Sequence, residues 1–149
     1  MDKTKIIKMV ASIFHEEWRK NRLQNDSKYE PMIEKSEDKE RNNKYWTDLV
    51  DIANTKFEDL PSNWQYENLK VARVVIDLVY DKIVAGEEIT PEMVEEMSSV
   101  VHEAWMKRNS WEKENRPHLF VPYSELPEEE KAKDRDQILQ AIEIIKSEK

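Results

Sequence analysis

Apolar residues recur at intervals of three and four over four long stretches of this chain, and that period predicts four helices. Over residues 3–23, Ile7, Val10, Phe14 and Trp18 fall on one stripe. Over 62–85 the stripe is Leu69, Ala72, Val75, Val79 and Ile83. Ser62 with Gln65 reads as a capping box at its start, and Gly86 as the left-handed residue that ends it. Over 91–109, Thr90 is the N-cap and Pro91 the first helical position, with Val94, Met97, Val101, Trp105 and Arg108 facing inward. Over 127–147, Glu128, Glu129 and Glu130 sit against the positive helix end, and Ile138, Ala141, Ile142 and Ile145 form the buried side.

The pattern is also repeated. Ser12, His15, Glu16, Trp18 and Lys20 recur as Ser99, His102, Glu103, Trp105 and Lys107, 87 residues on. A second echo has a different offset: Phe57, Leu60 and Pro61 recur as Tyr123, Leu126 and Pro127, 66 residues on. Repetition of this kind fixes architecture before any single motif does. The expected fold is mainly α: two pseudo-symmetric helix-pair repeats packed as one domain over 1–149, with short β-strands in the inter-helix links. Repeat 1 covers 1–86 with an enlarged link at 24–56, and repeat 2 covers 87–149. Each repeat is helix, irregular link, Leu-Pro corner, helix. In the first link, Lys35–Lys44 is so charged that it reads as a solvated loop. Leu49-Val50 and Leu119–Val121 are the expected strands, the second limited by Pro122.

Composition removes several classes. There is no cysteine among the 149 residues, which excludes disulfides, thiolate metal sites and cysteine nucleophiles. A single glycine leaves no glycine-rich phosphate loop. The formal net charge of −8 argues against a nucleic acid polymer as partner, because such binding is built on Lys and Arg. No long apolar run suggests a leader or a membrane span, so a cytoplasmic protein without a membrane partner is expected.

Candidate chemistry concentrates in the links. His15 and His102 lack the second histidine of a zinc-binding helix, since Arg19 and Met106 stand four residues on; no metal and no cofactor is expected. Both histidines fall at the edge of an apolar stripe and read as hydrogen-bonded rim residues, with Trp18 and Trp105 as core indoles beside them. Tyr29 and Trp111, and less strongly Trp46 and Trp64, lie in or beside the links, outside the stripes, where flat rings can stack on a base. Arg22, Arg108 and Arg116 lie within a few residues of Tyr29 or Trp111 and would neutralise phosphate. Trp64, His118 and Tyr123 complete the candidate ligand-binding set. Glu16 and Glu103 read as solvated or capping charges. No nucleophile, oxyanion donor or triad spacing accompanies them, so no enzyme is expected.

One stretch resembles a known family. His102-Glu103-x-Trp105, Trp111, Arg116-Pro117-His118-Leu119-x-Val121-Pro122-Tyr123, Leu126-Pro127, Glu130-Lys131 and Asp134-Arg135 resemble the ryanodine receptor repeat domain. His15-Glu16-x-Trp18, Tyr29-x-Pro31 and Phe57-x-x-Leu60-Pro61 resemble it more loosely. The resemblance implies a paired-repeat helical domain with short strands that acts as an accessory module and carries adenine-nucleotide contacts. Stand-alone bacterial and viral versions, found near signalling and antiviral defence systems, have been proposed to sense nucleotide-derived signals. The expected function is therefore a non-enzymatic binding module for a small nucleotide-like ligand. The alternative is a protein-interaction module, such as a homodimer built on an exposed apolar strip.

Overall fold

A computed structural model describes residues 2–23 and 29–148. The described chain is mainly helical, with five α-helices and one two-stranded sheet. The helices are α1 (Lys3–Lys20), α2 (Lys39–Tyr45), α3 (Ser62–Val84), α4 (Pro91–Arg108) and α5 (Glu128–Ser147). The strands are β1 (Ile33–Lys35) and β2 (Leu49–Asp51). No described helix is long and apolar enough to cross a membrane. Contacts group the described residues into two compact units, Asp2–Ala72 and the residues from Arg73 onward. That division falls inside α3.

In the first unit, Asp2 caps α1 by accepting the Thr4 N–H, and Ile6, Ile7, Val10, Ala11 and Phe14 are buried. Trp18, expected in the core, is half-buried at the end of this stripe. The charged stretch expected as a loop contains α2. Asp38 caps that helix through the Arg41 N–H and also accepts the Ser62 N–H, so one carboxylate serves two helix starts. Those two N–H groups hold the Asp38 carboxyl below the ordinary carboxylate range. The Ser62–Gln65 capping box is not built. Ser62 is itself helical, and Gln65 turns its amide to the Phe57 and Glu58 carbonyls.

The sheet also differs from expectation. Leu49–Asp51 is a strand, but its antiparallel partner is Ile33–Lys35, with Glu34 opposite Val50. Leu119–Val121 is not a strand. Pro117 and Pro122 bracket it, and the segment instead begins with a tight 3-10 turn at Pro117–Leu119. Register sets the two sheet faces. Val50 is buried, so Ile33, Lys35, Leu49 and Asp51 share the opposite, outward face.

In the second unit, α4 packs on α5 and on the turn Tyr123–Glu125. Thr90 caps α4 as expected, accepting the Met93 N–H, with Pro91 next. Val94, Met97 and Val101 from α4 and Ile138, Ala141 and Ile145 from α5 are buried. Gly86 has φ 80°, where glycine alone is unstrained, and it follows the last turn of α3.

Candidate functional site

Each unit holds the same local arrangement. His15, 4% exposed on α1, points Nε2 at the Thr55 carbonyl oxygen, 2.8 Å away. His102, 4% exposed on α4, points Nε2 at the Val121 carbonyl oxygen, also 2.8 Å away. A carbonyl can only accept, so Nε2 carries the proton in both rings. Thr55 and Val121 each stand two residues before a 3-10 turn, Phe57–Asp59 or Tyr123–Glu125. Each turn ends in an extended Leu-Pro step that leads into α3 or α5. The histidine thus ties a helix to the corner that launches the next helix. Each imidazole also stacks on the tryptophan three residues later. The ring centroids are 5.7 Å apart for His15–Trp18 and 6.1 Å for His102–Trp105.

The surroundings of the two histidines differ. On α1, Arg19 is a buried cation, 8% exposed, that sequence reasoning passed over. Its Nε donates to the Ala53 carbonyl at 2.9 Å and its Nη1 meets Glu16 at 2.6 Å. Its guanidinium lies 4.4 Å from the centroid of the Tyr29 ring. The available signal was its position four residues after His15, on the same helix face. Burial lowers the His15 pKa, which keeps the ring neutral. On α4 the neighbour is an acid. Asp134 Oδ2 lies 3.9 Å from His102 Nδ1, and burial pushes the carboxyl up to about 6.

The candidate ligand residues divide into engaged and open groups. Tyr29 is half-buried under Arg19, and its backbone N–H and carbonyl both bond to the Asn54 amide. Arg22 donates to the Glu30 and Pro31 carbonyls and lies 5.2 Å over the Trp18 ring. Trp64 gives its indole N–H to the Lys35 carbonyl. Tyr123 is buried, with its hydroxyl on Glu95, which Arg135 also holds. Arg116 pairs with Glu112 at 3.1 Å. Trp105 is half-buried between His102 and Phe120. Arg108 is half-buried in the last turn of α4. Trp111, 66% exposed, and His118, also exposed, stand open in the second link.

Tyr29 and Arg22 are each taken up in a cation–aromatic pair within the protein, Tyr29 under Arg19 and Arg22 over Trp18. A shallow hollow of about 400 Å³ in the second unit is lined by Glu95, Glu96, Ser99, Tyr123 and Lys131 among others. Two carboxylates against one ammonium make it a poor seat for phosphate. Among the described residues, no group of three or more His, Asp or Glu side chains gathers as for a metal ion.

Large apolar side chains are also exposed on the first unit, among them Trp46, which the sequence places with the link aromatics. Trp46 is 94% exposed and has φ 58° and ψ 30°, the sole positive φ on a described non-glycine residue. Tyr45 beside it and Ile33 and Leu49 on the outward sheet face are each more than half exposed. The signal was present in the apolar residues that close a charged stretch, Tyr45-Trp46 and then Leu49. No family model, no curated protein and no solved structure matches the chain.

Proposed function

We propose that this chain is a non-catalytic module that binds another protein through the outward face of β1–β2 and the tip of α2. The observation that carries this reading is the exposed set Ile33, Tyr45, Trp46 and Leu49 within one unit. Large apolar side chains left exposed in this number within one unit point to a surface that a partner covers. The engagement of Arg22 by the Glu30 and Pro31 carbonyls and of Arg116 by Glu112 supports the same choice over a phosphate-holding pocket. The accessory role implied by resemblance to the ryanodine receptor repeat domain fits a module of this kind. The test is affinity capture with wild type and an Ile33→Ser/Leu49→Ser variant as baits. A protein retained by the wild type and lost from the variant, with both baits equally stable, is the expected result.

A second reading rests on Trp111. Its ring is 66% exposed, with Arg116 five residues along the same link. A nucleotide base stacked there would gain about 1–3 kcal/mol. Thermal-shift titration with adenine nucleotides, cyclic dinucleotides and ADP-ribose, on wild type and Trp111→Ala, separates the two readings. A shift that Trp111→Ala abolishes, together with no variant-sensitive protein partner, would replace the interaction reading with the nucleotide one.

A further inference from the structure

Trp46 occupies the residue just after α2, where a helix commonly ends in a left-handed glycine. A side chain at that backbone conformation is strained, and this one buries almost nothing in return. The packing of the unit therefore does not account for an indole here. The neighbouring charges are mostly positive, with Lys39, Arg41 and Lys44 against the single carboxylate of Glu40 within α2. Arg41 and Lys44 lie over the Tyr45 ring, 5.1 and 5.5 Å from its centroid. Residues 41–47 contain these two cations and no carboxylate, in a chain of formal net charge −8. Glu40 lies in the first turn of α2, at the end away from Trp46, and two other flanking acids are occupied. Asp38 caps α2 and α3, and Asp48 pairs with Lys35 at 3.9 Å.

We infer that the tip of α2 is a docking knob for an acidic segment of another protein that carries an apolar pocket or anchor to receive the Trp46 indole. This deepens the interaction reading and rests on it. The indole supplies the buried contact, while Arg41 and Lys44 supply charge complementarity, steering and partner choice. The strain at Trp46 is then the cost of presenting the ring clear of its own unit. An anionic membrane is the weaker match, because a protein carrying −8 is repelled by such a surface outside this small patch.

The experiment is an NMR titration of the intact, isotope-labelled chain, following the Trp46 indole N–H. The probes are short synthetic peptides rich in Asp and Glu with one Phe or Leu, and the same peptides with Lys replacing each acid. The acidic peptides are expected to move the Trp46 signal and to bind more weakly as salt rises from about 50 to about 300 mM. Trp46→Gly and Arg41→Gln/Lys44→Gln should each weaken binding by about tenfold or more, followed through the backbone amides, with both variants still folded at the titration temperature. Three results overturn the inference. Lysine peptides binding as tightly at Trp46 would remove the acidic partner but leave the interaction reading standing. Silence at Trp46 with every peptide would remove the knob, and capture by the Ile33/Leu49 face then decides the broader reading separately. Trp46-dependent binding only to phosphatidylglycerol vesicles, or a Trp46-dependent dimer in sedimentation, would assign the knob to a membrane or to a second copy.

Discussion

Replacing Arg19 with methionine removes a buried cation and leaves an apolar stem, and Met106 already stands at the matching position of the second copy. Three interactions are lost. The Ala53 carbonyl loses its donor inside the fold, which costs about 1–3 kcal/mol. The guanidinium over Tyr29 contributes about 0.5–2 kcal/mol when desolvated. The pair with Glu16 adds only about 0.2–1 kcal/mol, because the Glu16 side chain is 38% exposed and screened. These groups share one side chain and do not add, so the expected destabilisation is about 2–4 kcal/mol.

Urea unfolding of wild type, Arg19→Met and Arg19→Lys measures it. Lysine keeps the charge but lacks the planar fork that reaches Ala53, Glu16 and the Tyr29 face together. It should recover less than half of the loss. A methionine variant within about 0.5 kcal/mol of wild type would refute the reasoning. So would a lysine variant equal to wild type, because charge alone would then suffice. Either result would also return Arg19 to the pool of cations available to a ligand.

Two further predictions concern protons and strain. The Asp134 carboxyl is raised to about 6 in the fold, so the native state holds its proton more tightly than the unfolded chain; the resulting stability, about 2–3 kcal/mol, is full below about pH 4 and is lost as pH rises through 6. His15 acts oppositely, since its lowered pKa contributes stability present above pH 6.5 and lost as pH falls through the folded value. In pH-dependent urea titrations, Asp134→Asn should therefore leave stability rising with pH across this range, and His15→Gln should leave it falling. Trp46→Gly should match wild type or gain up to about 1 kcal/mol in the same assay, because relief of the left-handed strain outweighs the loss of an exposed ring.

The long helices were legible because a 3.6-residue period over some twenty positions is a strong signal. Their bounds fall within a few residues of expectation at every end. Short elements were not. α2 has seven residues, none of them buried, so it carries no apolar stripe to read; it forms because Asp38 caps it and Trp46 closes it. The partner of β2 was missed because a three-residue strand with one inward position, Glu34, shows no alternation. The candidate arginines stand near aromatic residues along the chain. Nearness along the chain does not reveal that Arg22 is already spent on the Glu30 and Pro31 carbonyls.

The recurring unit explains both what the echo predicts and where it stops. His, its carbonyl acceptor and the stacked Trp form one structural device, which fixes a helix against a Leu-Pro corner without calling on any ligand. The residues around the device are free to differ in charge. Arg19 is buried beside the first histidine, whereas Met106 stands at its place in the second copy. Asp134 is held near the second histidine, whereas the offset linking Leu60 to Leu126 puts Asn68 at its place in the first. One copy thus carries a buried cation and the other a carboxyl that resists ionisation. Burying either charge without a partner would be costly, and each copy meets that cost locally, through carbonyls, Glu16 and Tyr29 in one and through His102 in the other. The histidines and the tryptophans stacked on them are engaged in packing and hydrogen bonds within each copy. The two proposed recognition surfaces use side chains that the device leaves outside, those of the α2 tip and the outward sheet face in the first unit and Trp111 in the second.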